Sequence, residues 1–221
     1  MKRIITVLSF TFLSVGLFAQ NKILLGFEGG GGIRYLYGNW IADKENPILG
    51  GSAGLTFQYN LSKIFSFKTG ISYDRKGWGQ LITITDNQGN NSYKTTAKFN
   101  FDYIIVPLLI KASFGNKIKY FVNTGPYFGY LINSSRFISG EGFRPDKNND
   151  IDEGELLKSD FGLSTGLGLC YPINEKFNIS LEIRNNYGLK NLNSGKYSNV
   201  NTWPFYASST NILLGVNYIL K

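Results

Sequence analysis

Three short polar turns, each bracketed by aromatics six positions apart, constrain this chain more than any other feature: Tyr59 to Phe65, Phe114 to Tyr120 and Tyr171 to Phe177. Each turn joins two runs in which apolar and polar residues alternate. One face reads Ala53, Leu55, Phe57, Tyr59 before the first turn and Phe65, Phe67, Thr69, Ile71, Tyr73 after it. The second turn lies between Ile104, Val106, Leu108, Ile110, Ala112, Phe114 and Tyr120, Val122, Thr124, Pro126, Phe128, Tyr130. The third lies between Phe161, Leu163, Thr165, Leu167, Leu169, Tyr171 and Phe177, Ile179, Leu181, Ile183, Tyr187. Successive side chains of a strand point to opposite faces, so a period of two over about ten residues describes a strand with one apolar face. In an outer-membrane barrel that face meets lipid, and aromatics held at one level form an interfacial girdle. The pattern predicts an all-β fold, an eight-stranded antiparallel up-and-down transmembrane β-barrel, with Tyr59, Phe65, Phe114, Tyr120, Tyr171, Phe177 and Tyr218 as girdle residues.

Connection lengths support the count of eight. Short turns are expected at 60–64, 115–119 and 172–176, and long connections at 38–50, 77–97, 132–159 and 190–209. Three short and four long links in strict alternation suit eight antiparallel strands with both ends on the short-turn side, which in such barrels is periplasmic, the long loops being extracellular. The strands are expected at 23–37, 52–59, 65–73, 101–114, 120–131, 161–171, 177–189 and 210–220. Residues 81–85 and 92–98 flank the turn-like DNQGN, which predicts that the third and fourth strands continue past the membrane as a hairpin.

The first 19 residues carry Lys2 and Arg3, then an apolar stretch ending at Ala19, and read as a secretory leader over 1–19 preceding a barrel domain over 20–221. No later run approaches the roughly 20 apolar residues that a spanning helix needs. A chain like this enters a membrane only as a closed barrel, because lipid offers no partner to backbone amides. The single cysteine, Cys170, permits no intramolecular disulfide. The formal charge is +8, and without Lys2 and Arg3 it is +6, from 21 basic and 15 acidic residues. A basic surface suits anionic lipid headgroups. Nothing in the chain matches a nucleic-acid-binding motif, so lipid of the outer membrane and other envelope or secretion proteins are the expected partners.

The polar face carries charge of both signs. Glu28 and Arg34 on the first strand, Lys68 on the third, Lys111 on the fourth, and Glu182 and Arg184 on the seventh share phase with Ser, Thr, Asn and Gly. They predict a paired network inside the barrel, in a bore that eight strands leave just wide enough for side chains to fill. The run of glycines at 29–32 has neither a following Lys-Ser/Thr nor a helical pattern, and reads as a strand bend rather than a phosphate cradle. In the third long connection Asp146, Asn148, Asp150 and Asp152 alternate like calcium ligands, but Ile151 replaces the turn glycine and Leu157 the bidentate glutamate. A solvated acidic loop is the favoured reading, weak Ca²⁺ binding the alternative. Trp78, Trp203, Phe205 and Tyr206 are candidate anchors at the outer interface.

Enzyme chemistry has little to work with. The chain contains no histidine, the side chain that exchanges a proton near neutral pH in Ser-His and Asp-His sites. No spacing points to a Ser-Lys or two-carboxylate site, so no catalytic residue and no cofactor are expected.

Four segments resemble signatures of the PorT-like outer-membrane β-barrel family typical of Bacteroidota: DYIIVPLLIK at 102–111, NTGPYFGYLI at 123–132, DFGLSTGLGL at 160–169 and LEIRNNYGLKNL at 181–192. The resemblance implies an eight-stranded outer-membrane barrel, in a family whose founding member is tied to a secretion and gliding-associated machinery. The closing residues Tyr218, Ile219, Leu220 and Lys221 depart from it by lacking a terminal aromatic. The expected function is a non-enzymatic outer-membrane barrel, localised to the cell outer membrane, whose extracellular loops serve docking, adhesion or an envelope or secretion complex. A narrow channel for ions or small solutes is the alternative. A soluble secreted barrel of lipocalin type, with the two faces reversed, is the third reading, because alternation defines two faces without saying which points inward.

Overall fold

A computed structural model describes residues 23–38, 45–85, 92–139, 146–148, 157–192 and 204–220. Nine strands run through them: β1 (Ile23–Tyr37), β2 (Ile48–Asn60), β3 (Phe65–Thr85), β4 (Ser92–Phe114), β5 (Lys119–Ser139), β6 (Asp146–Asn148), β7 (Ser159–Pro172), β8 (Phe177–Gly188) and β9 (Tyr206–Leu220). Eight of them close into an antiparallel ring, because β4 pairs with both β3 and β5, and β1 with both β2 and β9. The short β6 stands outside the ring, paired to Arg136, Phe137 and Ile138 at the end of β5.

The turns follow from local chemistry. In the first, Ser62 Oγ accepts the amide of Phe65 at 2.9 Å, and in the third Asn174 Oδ1 accepts that of Phe177 at 2.9 Å. Such side chains close a turn by standing in for a backbone acceptor. The second turn opens with Gly115 at φ +105°, a conformation that glycine adopts without steric penalty. The first and last strands begin and end at this same rim, where Ile23 pairs with Tyr59 on one side and Leu220 on the other.

On the opposite rim the structure differs from the sequence reading in extent. β3, β4 and β5 run on well past the ring, with Thr85 still paired to Ser92 and Ser139 to Thr96, so that with β6 they make a four-stranded blade on one side. Strand four was expected to begin near 101, but the alternation weakens in the Thr- and Lys-rich stretch before it, where no lipid imposes an apolar face. A bulge between Asp102 and Tyr103 shifts the register where the blade leaves the ring.

The apolar face points outward. Leu108, Leu167 and Leu181 are exposed on the outer wall, as are Phe27, Leu55, Ile71 and Leu214, while Glu28, Arg34, Lys68 and Arg184 are buried inside. This arrangement sets aside the soluble barrel with reversed faces. The expected girdle residues lie toward the short-turn rim, Phe177 and Tyr218 with ring centroids 5.1 Å apart. A second aromatic group, of which the sequence reading named only Tyr206 as an interface anchor, lies toward the other rim: Tyr37 stacks on Tyr187 at 4.5 Å and on Tyr206 at 5.3 Å, with Tyr35 at 6.3 Å. Twelve residues separate Ile23, level with Tyr59, from Tyr35. At about 3.3 Å per residue and a strand tilt of about 40°, the two levels are roughly 30 Å apart in height, the thickness of a hydrocarbon core.

An arginine scan checks the outer wall. Arg at Leu108, Leu167 or Leu181 should lower the stability of the barrel in lipid vesicles by about 2–4 kcal/mol in urea titrations, falling off toward either rim. A flat profile along these strands would contradict the lipid assignment.

Candidate functional site

The bore is the site, and it is built in tiers. In the middle tier, β1 supplies Glu28, β3 Lys68, and β8 both Glu182 and Arg184. Lys68 Nζ lies 2.9 Å from Glu28 Oε2 and 3.0 Å from Glu182 Oε2. Arg184 bridges the same two acids, with Nη2 donating to Glu28 Oε2 at 3.0 Å and Nε to Glu182 Oε1 at 2.6 Å. Asn123 Nδ2 gives Glu182 Oε1 a further hydrogen bond at 3.0 Å. Two carboxylates face two cations, so the tier is neutral as a whole.

Glycine makes the space for it. Glu28 sits between Gly54 and Gly215 on the neighbouring strands, and Arg184 stands beside Gly166. A Cβ on Gly166 would come within 2.5 Å of Glu182 Oε1 and 2.8 Å of Asn123 Oδ1.

The next tier toward the long-loop rim centres on Asp74. Arg34 Nη2 lies 3.4 Å from Asp74 Oδ1, and neither side chain has any exposed surface. Ser209 Oγ donates to Asp74 Oδ2 at 2.6 Å and Asn186 Nδ2 at 3.2 Å, while Arg34 Nη2 also donates to Asn211 Oδ1 at 2.7 Å. Beyond it Lys76 Nζ contacts Asp160 Oδ2 at 2.6 Å and Tyr127 Oη at 2.7 Å, and Tyr127 Oη donates to Asp160 Oδ2 at 2.9 Å. The Lys76 ammonium also lies 4.6 Å from the Tyr127 ring centroid. Above this tier the mouth is filled by aromatics and aliphatics. Trp78 stacks on Phe99 at 4.8 Å and meets Phe101 and Phe205, beside buried Leu36, Leu192 and Ala207.

Of the six charges that the sequence places inside, the structure gathers Glu28, Lys68, Glu182 and Arg184 into one cluster. Arg34 stands apart, six residues or about 20 Å along β1 from Glu28, beyond the reach of any side chain. Lys111 lies on the other side of the cluster, toward the short turns, where Nζ donates to Gln58 Oε1 at 3.0 Å and sits 4.0 Å from the Phe121 ring centroid. Sequence reasoning missed Asp74 and Lys76 because it ended the third strand at Tyr73. Continued by the same phase from Lys68, both fall inside. Asp160 was available by the same rule, two and four residues before Gly162 and Ser164 on the inward face of β7.

Trp78 and Phe205, expected at the outer interface, turn into the mouth and pack on one another at 6.0 Å. Tyr206 joins the outward aromatic group, and Trp203 lies outside the described residues. On the outer wall beside the bulge, Asp102 accepts hydrogen bonds from Arg75 Nε at 2.7 Å and Tyr73 Oη at 2.6 Å, a polar cluster where the ring gives way to the blade. Of the acidic loop, Asp146 and Asn148 lie in β6, while Asp150 and Asp152 fall outside the described residues.

The tiers make a chemical prediction. Removing one member of a buried ion pair leaves the other charge stranded, at a cost of about 3–5 kcal/mol. Glu182→Gln and Lys68→Met should each destabilise the barrel on that scale, and the double variant should lose far less than the sum, read from denaturant unfolding in detergent. Additive losses would show that the pair is not coupled.

Residues 18–194 match the family model described as outer membrane protein beta-barrel domain. Among solved structures, the chain is similar to the attachment invasion locus protein Ail of Yersinia pestis, at 13% identity over 91% of this chain and 100% of that one, with a TM-score of 0.46. It is similar to Neisserial surface protein A at 11% identity, covering 89% and 96% of the two chains, with a TM-score of 0.48. Outer membrane protein W of E. coli shares 13% identity over 92% and 100%, with a TM-score of 0.47. No curated protein matches the chain in sequence.

Proposed function

Because the chain belongs to the outer membrane protein β-barrel domain family, we propose that it acts without catalysis, as a closed outer-membrane barrel whose long connections carry docking or adhesion on the cell exterior. The filled bore carries this reading. Arg34, Lys76, Tyr103, Tyr127 and Phe101 are wholly buried within it, and an eight-stranded ring has little cross-section left once such side chains are in place. What the barrel offers to other molecules is then its two rims and its outer wall.

The same tiers speak against a hydrolytic or transfer activity. Asp74, Asp160, Glu28 and Glu182 are each held by a cation, and a carboxylate so engaged and shut from substrate makes a poor general base. A leader over 1–19 belongs to this reading, as does a finer placement among PorT-like barrels, supported by the segments at 102–111, 123–132, 160–169 and 181–192. That placement favours a post in a secretion-associated envelope assembly over free adhesion.

Two measurements test the proposal. In planar bilayers the purified barrel should give no discrete openings; steady unitary currents would move the function to a narrow channel. In a Cys170→Ser background, cysteines at Asn87 and Ser194 should react with an impermeant thiol reagent on intact cells, and those at Ser62 and Asn116 should not. The reverse pattern would turn the docking rim toward the periplasm.

A further inference from the structure

Buried charge inside this barrel is matched one for one, with a single exception among the described residues. Arg34 has Asp74, Lys76 has Asp160, and Lys68 and Arg184 share Glu28 and Glu182. Lys111 is also buried, but its partners are the neutral amide of Gln58 and the face of Phe121. The nearby carboxylates are already saturated by the middle tier. An ammonium group has three donors, and only one is used by Gln58. A desolvated cation without an opposite charge is unfavourable, so this position asks for an anion.

The space for one is present. Lys111 lines a cavity of about 470 Å³ that opens at the short-turn rim, with Asn178, Asn217 and the thiol of Cys170 along its walls. Lys63 of the first turn and Lys119 at the start of β5 stand at its mouth, and no Asp or Glu lines it. Three lysines converging on one vestibule, the deepest of them buried, form an electrostatic funnel for negative charge. The other end of the bore is stopped by the Trp78 cap, so an anion entering here cannot pass through.

We propose that this vestibule is a binding site for a compact oxyanionic group, a carboxylate or a phosphate, whose charge is taken by Lys111 Nζ after capture by Lys63 and Lys119. Asn217 Nδ2 donates to Asn178 Oδ1 at 2.9 Å, which orients the Asn178 amide as a further donor to the bound oxygens. The cavity is of the size that holds a small metabolite or a single headgroup. This inference needs the barrel's fold and not its docking role, so it stands or falls separately from the function proposed above.

Cys170, the chain's single cysteine, is a built-in reporter. In the purified full-length barrel, an anionic methanethiosulfonate should modify Cys170 faster than its cationic counterpart by roughly fivefold, the effect of one nearby unpaired positive charge. Inorganic phosphate or succinate should slow the modification saturably, and Lys111→Met should abolish both the preference and the protection. Protection by added phosphate in micelles identifies a free anion as the ligand. Protection that appears only in phosphatidylglycerol vesicles identifies a lipid headgroup. If Lys111→Met fails to fold, the exposed pair Lys63→Ser/Lys119→Ser should weaken phosphate binding several-fold and flatten its salt dependence. If Cys170 resists both reagents, titration calorimetry with phosphate reads the same affinity. Equal reactivity toward both reagents, or no saturable binding of phosphate, succinate or headgroup, overturns the proposal.

Discussion

The pairing of β1 with β9 is the interaction on which everything else in this molecule depends. Fifteen consecutive residues, Ile23 to Tyr37, match Leu220 to Tyr206 without a break. Without that seam the ring would expose two rows of unpaired amides to lipid, each worth several kcal/mol, and no spanning sheet with free edges survives that. Once closed at eight strands, the ring dictates its own interior. The bore is just wide enough for side chains to fill and too wide to be left empty. Side chains must fill it, and because the lipid takes the apolar phase, the polar phase is what remains to fill it with.

That requirement explains why the interior is charged and also why its tiers are neutral. Apolar side chains fill part of the bore, Ile105, Leu109 and Phe121 among them, but most of its inward positions are polar or charged. Charges admitted on those terms must be paired, since an isolated buried ion is far less stable than the same ion in water. The tiers of Glu28, Lys68, Glu182 and Arg184, of Arg34 and Asp74, and of Lys76 and Asp160 meet the condition, Arg184 with bidentate geometry, and with Asn, Ser and Tyr donors on further lone pairs. The glycines opposite them are part of the same solution, leaving cross-section free for side chains as long as arginine. Buried ion pairs contribute little net stability over well-packed apolar groups. Their value here is that they fill a polar lumen with charge that is matched within it.

Much of this was legible in the sequence, and the reason is the lipid. Where lipid enforces an apolar outer face, the alternation is clean, and Leu163 to Tyr171 or Ile179 to Tyr187 announce strand, face and register together. Where the strands leave the membrane, nothing enforces it, and the blade formed by the ends of β3, β4 and β5 with β6 was foreseen only as a hairpin around DNQGN. The interior was legible by phase but not by partner. Phase says that Arg34 and Glu28 both face inward; it takes the stagger of strands around the ring to show that Arg34 meets Asp74 on β3 and that Glu28 meets Arg184 on β8. The cap was misassigned for a related reason. Trp78 is on the inward phase, but tryptophan near a rim also suits the interface, and only the presence of Phe101 and Phe205 beside it decides between the two.

The two ends of the bore are chemically unlike, and the difference bears on function. At the long-loop end, Trp78, Phe101, Leu36 and Leu192 form a dry plug above the Lys76–Asp160 pair. At the short-turn end no such plug stands among the described residues, and Lys111 faces a cavity open at that rim with an amide for its partner. A barrel that served only as a wall would gain from the same stopper at both ends, because an unmatched buried lysine opposes folding. Selection for stability alone therefore does not account for Lys111, whereas an anion that binds the folded state and not the unfolded one would offset its cost by mass action. With the short turns on the periplasmic side, as proposed, the closed end faces the cell exterior and the open end the periplasm, from which a small anion or a headgroup would reach Lys111.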